Sequence, residues 1–408
     1  MDADDTITEL RQRLRRYSED RYPIQHATAQ FHLGVALLSA GQPGEAAGAL
    51  RTAAGLFDPD RLPVEHAKAM NMLGAALREE GDLADAVEAF RRAATTFEAH
   101  QQELEHAAAM FNLGLVQRDS GDPDAAMDCF QRARERFDQQ RLPGQASAAA
   151  RELGATLLAG GELKAAADAL EQAVDLAEQA GEHAGLGAAA NALGLAYLGT
   201  DRAQAAVEAF RKAMVGNPRT VRAQGFAMAK ANLALAYERA GDAPRARLAA
   251  RQALALPDAP PAVVEQARGV PERLGSGIGD LLTVLHEEPP ERWPALVREE
   301  LARWVVAAPE ERRAEARAWI EGQVSGPDRG PDLAEALLGA VLELPPAAME
   351  TAIRGLLEAL GSLEAATADR FRSETWRAMA AFQVPQEARL RDRFDRIAAE
   401  LGQERVWS

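Results

Sequence analysis

The side chains that could carry chemistry in this 408-residue chain are few, and each sits in a context that points elsewhere. Cys129 is the only thiol. A nucleophilic cysteine needs cations or a helix terminus that favour the thiolate. Forty residues on either side of Cys129 stand Ala89 and Ala169, so its slot is one for a small core side chain. His26, His66 and His106 recur at the same spacing and raise the question of a metal. Equivalent positions on stacked helices lie about 8–10 Å apart, whereas imidazoles that share a zinc ion each bond it at about 2 Å. A structural role beside Pro23 and Pro63 fits better, and His32, His100, His183 and His286 have no ligand spacing. Gly275-Ser276-Gly277-Ile278-Gly279 has the look of a phosphate loop. It follows no strand pattern and lacks both the final glycine of a dinucleotide fingerprint and a Gly-Lys-Ser/Thr ending, which makes it a linker. There is no Gly-x-Ser-x-Gly elbow and no His-Glu-x-x-His. The adjacent acids Glu79-Glu80, Glu299-Glu300 and Glu310-Glu311 read as solvated helix faces. No catalytic residue, metal or cofactor is expected.

Composition narrows the class further. The net charge of −16 disfavours nucleic acid, which needs a basic stripe, and disfavours an anionic membrane surface. No apolar run approaches the roughly 20 residues that span a bilayer. The acidic start Met1-Asp2-Ala3-Asp4-Asp5 is unlike a signal peptide, and a lone cysteine makes no internal disulfide. The expected location is the cytoplasm. Lys68, Lys164, Lys212 and Lys230 are the only lysines among the many arginines; with the richness in Ala and Gly, this suggests a bacterial, GC-rich source. The apolar content is mostly Ala and Leu, which favours close-packed helices over sheets.

The elements that position all these residues come from a repeat, which is best sought before anything else. Gly34, Gly74, Gly114, Gly154 and Gly194 lie 40 residues apart and Ala234 closes the series, each preceded by Leu. Gly41, Gly81, Gly121, Gly161 and Gly241 follow in step, with Asp201 in the remaining slot. Ala46, Ala86, Ala126, Ala166, Ala206 and Ala246 recur likewise, and so do the large residues Leu50, Phe90, Phe130, Leu170 and Phe210. Met70, Leu73, Gly74 and Leu77 share one helix face; Val87, Phe90, Ala94 and Phe97 share a face of the next. Gly81-Asp82 between them reads as a left-handed stop followed by an N-cap that accepts a free N–H. A glycine inside a helix costs about 1 kcal/mol against alanine, so the Gly74 series needs a reason. Close approach of the paired helix, with small Ala86 and Ala93 opposite, is the expected one.

This pattern resembles the tetratricopeptide repeat, with a small residue in helix A, a turn, and then Ala, an aromatic and Ala in helix B. The resemblance covers about residues 24–257 in six copies. The family period is about 34 residues; the extra length here is expected in the helices and in the connections between repeats. The large first family residue, commonly Trp, is Gln30, Met70, Met110, Ala150, Ala190 and Lys230 in this chain. The resemblance implies an all-α fold, a right-handed α-solenoid of six helix pairs; beyond it the chain's own apolar stripes predict a C-terminal helical bundle. The resemblance also implies a concave face lined by the A helices. By position in the repeat, that face would carry Phe31, Asn71, Arg78, Phe111, Arg118, Arg151 and Asn191. Asparagine amides suit a peptide backbone, arginines meet carboxylates through paired N–H groups, and the phenylalanines would anchor apolar side chains. The chaperone-tail ligand of the family is clamped by several lysines; here the A helices offer only Lys68 and Lys230.

The expected organisation is a capping helix in 1–22, six repeats in 23–257, a Pro/Gly linker in 258–279 and a helical domain in 280–408. Ile7, Leu10, Leu14 and Tyr17 would face the first repeat as a lone helix B. All five tryptophans, Trp293, Trp304, Trp319, Trp376 and Trp407, lie in the last of these, where apolar stripes separated by Pro and Gly predict six or seven helices. The functional expectation is a non-enzymatic scaffold or adaptor that holds a peptide segment or protein partner in its concave groove, with no nucleic acid and no membrane. The alternatives are a ligand- or peptide-responsive bacterial regulator and a helical biosynthetic enzyme with its site between solenoid and bundle.

Overall fold

A computed structural model describes residues 3–257, 259–275, 277–326 and 329–403; Met1, Asp2, Ser276, Pro327 and Trp407 therefore lie outside the described residues. Within them the regular structure is entirely helical. No helix of the described residues is long and apolar enough to cross a membrane. The chain divides into two compact units, Met1–Arg202 and Ala203–Ser408.

The first unit holds α1 (Ala3–Arg16), α2 (Pro23–Ser39), α3 (Pro43–Leu56), α4 (Pro63–Glu80) and α5 (Leu83–Ala99). It continues with α6 (Glu103–Asp119), α7 (Pro123–Gln139), α8 (Pro143–Ala159), α9 (Leu163–Ala180) and α10 (His183–Gly199). Each helix packs on its sequence neighbours, and the even-numbered A helices also pack directly on one another. The glycine stops are as the sequence suggests: Gly41, Gly81, Gly121 and Gly161 have φ of 69°, 92°, 82° and 80°, and Asp201 in the same slot adopts 56°. Only glycine enters this region without steric cost. The caps agree only at some repeats. Asp122 accepts from the Ala125 N–H at 3.1 Å, while Asp82 stands at the N-cap without a side-chain bond.

Two expectations are corrected by the geometry. Three of the junctions between repeats are tighter than expected, because Gln101, Arg141 and Gly181 turn left-handed, at φ 56°, 58° and 67°, whereas residues 57–62 and 217–222 are longer connections. At the tight junctions the additional length has gone into the helices, since α5 and α7 have 17 residues and α9 has 18, while α3 and α11 have 14 and longer connections follow them. The second correction concerns the helix-interior glycines, which face the large residue of the partner helix rather than its alanines. A methyl group at Gly74 would stand 2.9 Å from the Phe90 ring, and one at Gly114 would stand 2.7 Å from Phe130. At α1, Ile7 and Leu10 are buried against the repeat core.

The second unit opens with α11 (Ala203–Gly216), α12 (Ala223–Arg239) and α13 (Ala243–Leu254). Where the sequence suggested a linker over 258–279, the chain forms α14 (Pro261–Leu274), which buries Val263, Ala267 and Val270. It packs on α12 and α13. Beyond it come α15 (Asp280–Glu287), α16 (Trp293–Val306), α17 (Pro309–Ser325), α18 (Gly330–Glu343), α19 (Pro346–Leu360), α20 (Ala365–Met379) and α21 (Val384–Glu400). In α16–α21 the closest partner is mostly the next-but-one helix, unlike the repeats, where it is the next. One apolar core joins these helices with Leu248 of α13. Trp304 and Trp319 meet edge to face inside it, with ring centres 6.4 Å apart, a favoured aromatic geometry.

Candidate functional site

The expected groove residues occupy the A helices of the first unit and are all partly exposed. Asn71 and Arg78 lie on α4, Phe111 and Arg118 on α6, and Arg151 on α8; Phe31 on α2 and Asn191 on α10 stand at either end. The three arginines do come together, through carboxylates that the sequence reading did not single out. Arg78 Nε donates to Asp119 Oδ2 at 2.7 Å, from α4 to α6. Arg118 pairs with Asp119 at 3.4 Å and reaches across to Glu152 on α8. Arg151 completes the row on Glu152 at 2.8 Å. Three guanidiniums thus face two carboxylates and leave one positive charge in excess. Partly exposed pairs of this kind stabilise by only about 0–1 kcal/mol each, so the ladder's effect is chiefly to align side chains across three helices.

Beside the ladder, the Asn112 amide donates to Asn71 Oδ1 at 3.5 Å. Phe111 turns partly inward and packs on Phe130, ring centres 5.8 Å apart; it is therefore in part a core residue. Phe31 stands edge-on to His32 at 5.4 Å. Asp119 was legible in principle, since it sits 41 residues, about one period, beyond Arg78, but Glu152 lies 34 beyond Arg118, and spacing alone does not tell which of the neighbouring polar residues pair.

The histidine series has its structural role. His66 Nδ1 lies 3.0 Å from the Ala54 carbonyl and 3.1 Å from that of Phe57, and His106 Nδ1 lies 3.0 Å from the Ala94 carbonyl. Each ring N–H thereby satisfies a carbonyl at the end of the preceding B helix, where free acceptors accumulate. His26 does the same for Tyr17, at 2.7 Å. Among the described residues no group of His, Cys, Asp and Glu is arranged to hold a metal ion.

Cys129 is buried, and its thiol lies 3.1 Å from Gln117 Oε1. Burial, with Asp128 beside it, pushes its pKa up to about 11. The thiolate is the reactive form, so a disulfide reagent at pH 8 should label Cys129 in the folded protein at least about a hundredfold more slowly than in denaturant. Labelling at the unfolded rate would contradict this environment.

The second unit contains a cluster that the sequence reading missed. Arg247 of α13 holds Asp280 with two bonds, at 2.9 and 2.7 Å. Arg251 donates to the Gly277 carbonyl at 2.9 Å, and Arg247 to that of Leu274 at 3.0 Å. Gly279 N–H donates to Glu315 at 3.2 Å. The glycine-rich stretch is therefore wrapped around the protein's own charges rather than open to a phosphate. Deeper in, Arg303 bonds Glu300 at 2.6 Å and Glu315 at 3.0 Å, all three buried. Burial raises the Glu315 pKa against the opposing pull of Arg251, the Gly279 N–H and Arg303. A signal for this interface was present in the last repeat. Leu248 stands where the earlier repeats carry Gly48, Glu88, Asp128, Asp168 and Glu208, and Arg247 replaces small or apolar residues such as Val87 and Met127.

Comparisons with known proteins agree with this architecture. Two tetratricopeptide repeat models match the sequence, one over residues 65–139 and the other over 8–61 and 111–181. No curated protein matches the chain significantly. Among solved structures, the apo form of RapI is similar with a TM-score of 0.56 at 12% identity, over 76% of this chain and 90% of that one. BtubC from P. vanneervenii gives 0.46 at 17% identity over 55% and 92% of the two chains. PilF of Pseudomonas aeruginosa gives 0.45 at 17% over 60% and 97%. The repeat register, the helical stacking and the family matches lead to one conclusion: this chain carries tetratricopeptide repeats, a helical scaffold of the kind that mediates protein–protein interaction.

Proposed function

We propose that the A-helix face of the first unit holds an extended peptide segment of a partner protein. The observation that carries this reading is the row of aligned, half-exposed side chains from Asn71 to Arg151, with one guanidinium in excess of its carboxylates. A segment that brings one carboxylate can balance that excess, whereas a second would have to displace Asp119 or Glu152. Asn71 and Asn112 offer amide donors and acceptors for a peptide backbone. Phe111 presents an apolar edge, and Phe31 and Asn191 extend the same face at its ends.

The test is selection of a displayed random peptide library on the full-length protein. The enriched peptides are expected to combine an acidic and an apolar residue. They should lose at least about tenfold in affinity, ~1.4 kcal/mol, towards an Arg118→Ala, Arg151→Ala double variant. Adding Phe111→Ala should abolish capture, with helix content checked because Phe111 also packs on Phe130. Absence of enrichment, or unchanged binding to the double variant, would remove the proposed face.

A further inference from the structure

A cleft of about 650 Å³ lies within the second unit. Its apolar walls include Met214 of α11, Phe226 and Leu233 of α12, Leu248 of α13, Val284 of α15 and Leu296 of α16. The volume falls in the range of small-molecule sites, about 300–1,000 Å³. Val215 at its edge is 65% exposed, and Met214 and Phe226 are only half-buried. This apolar surface is left to water by the fold itself, at a cost of about 25 cal/mol per Å² until something covers it.

The charges at the cleft say what would cover it. Lys230, Arg211, Arg245 and Arg292 stand against Glu208, Glu288, Glu291 and Glu299. Lys230 Nζ is 2.6 Å from Glu299, and Arg245 is 2.9 Å from Glu288. Arg292 is 3.2 Å from Glu288, and Arg211 is 2.9 Å from Glu208. Every cation is thus already matched. An anionic ligand would have to take Lys230 or Arg245 from its partner, and at Arg245 that leaves the poorly solvated Glu288 behind, which is costly. A cation would find only the exposed Glu291 uncommitted. An uncharged ligand disturbs none of these pairs. One polar contact is on offer: Arg211 donates to the Tyr237 oxygen at 2.8 Å, and the phenol keeps its own proton to give. Lys230 is itself a departure, since the earlier repeats carry Gln30, Met70, Met110, Ala150 and Ala190 at this position.

We infer that this cleft binds an uncharged, predominantly apolar small molecule that carries a hydrogen-bond acceptor for Tyr237. Its walls come both from the last helices of the repeat, α11–α13, and from α15 and α16, so an occupant touches both at once.

The probe for the test is 6-propionyl-2-(dimethylamino)naphthalene, an uncharged dye with a ketone acceptor that brightens in apolar sites, titrated against the full-length protein. Saturable binding at one site per chain is expected, with an affinity that does not change with ionic strength. Ala295 lines the cleft from an exposed position on α16. Ala295→Trp should therefore weaken binding by at least about tenfold at unchanged helix content, and Val215→Asp should weaken it similarly by placing a charge at the edge. Ala347→Trp, an exposed substitution on α19 outside the cleft, should leave the affinity as it is. No saturable binding, full binding by both cleft variants, an equal loss in Ala347→Trp, or displacement of the dye by simple salts would each overturn the assignment.

Discussion

Replacing Arg303 by alanine should lower the stability of the second unit by about 3–5 kcal/mol, the usual cost of removing one partner from a buried ionic cluster. The reason lies in what would be left behind. Glu300 is 1% exposed and Glu315 is 3% exposed, and Arg303 bonds both. It also meets Glu311. Arg251 remains near Glu315 at 3.8 Å, too far to replace the lost bond.

The effect should depend on pH in a stated direction. The Glu315 pKa is already raised in the folded protein, by burial above all. A carboxyl whose folded pKa exceeds its unfolded value contributes its full stability below the unfolded pKa and loses it as pH rises through the folded one. Removing Arg303, one of the groups that hold this pKa down, raises it further. The variant should therefore lose more stability at pH 8 than at pH 5, and an added Glu315→Gln should recover some of the loss at the higher pH. Urea unfolding followed by tryptophan emission is the measurement, since Trp293, Trp304 and Trp319 are buried in this unit. Equal losses at both pH values would mean that the carboxylates find other partners.

Gly114→Ala should destabilise the first unit by about 1–3 kcal/mol through overpacking, although alanine is the better helix former by about 1 kcal/mol. The added methyl group would stand 2.7 Å from the Phe130 ring. Gly48→Ala is the matching control. It lies inside α3, exposed, with nothing within 4 Å of the new methyl group, and should stabilise by up to about 1 kcal/mol. The two substitutions are chemically identical and opposite in expected sign. Paired chemical denaturation curves decide the matter; a stabilised Gly114→Ala would show that Phe130 can yield.

That contrast also shows how far the sequence could be read. The 40-residue register placed Gly114 inside a helix and demanded a reason for it, but not the right one, because register does not say which side chain of the partner helix reaches the gap. Alanines at Ala86 and Ala93 looked like the natural neighbours, yet it is the large residue, Phe90 or Phe130, that fills the space. The groove residues show the same division. Phe31, Asn71, Arg78, Phe111, Arg118, Arg151 and Asn191 could be set on one helix type by counting. That Arg78, Arg118 and Arg151 would be joined by Asp119 and Glu152 followed only from how α4, α6 and α8 lie side by side.

By itself, the sequence determined the helical repeat, its left-handed turns and the residues on each helix face, because all of these are local consequences of periodicity and backbone preference. The tertiary structure alone decided three further things: that α14 occupies the expected linker, that Arg247, Arg251 and Arg303 share buried carboxylates, and that a cleft opens beside Lys230. Beyond the repeat there is no register to carry a residue from one helix to the next. Contacts there join positions at unrelated separations, 26 residues for Arg251 with Gly277, 48 for Gln252 with Glu300 and 69 for Lys230 with Glu299, and packing, which optimises shape and charge together, chooses among many pairings that the linear chain leaves equivalent.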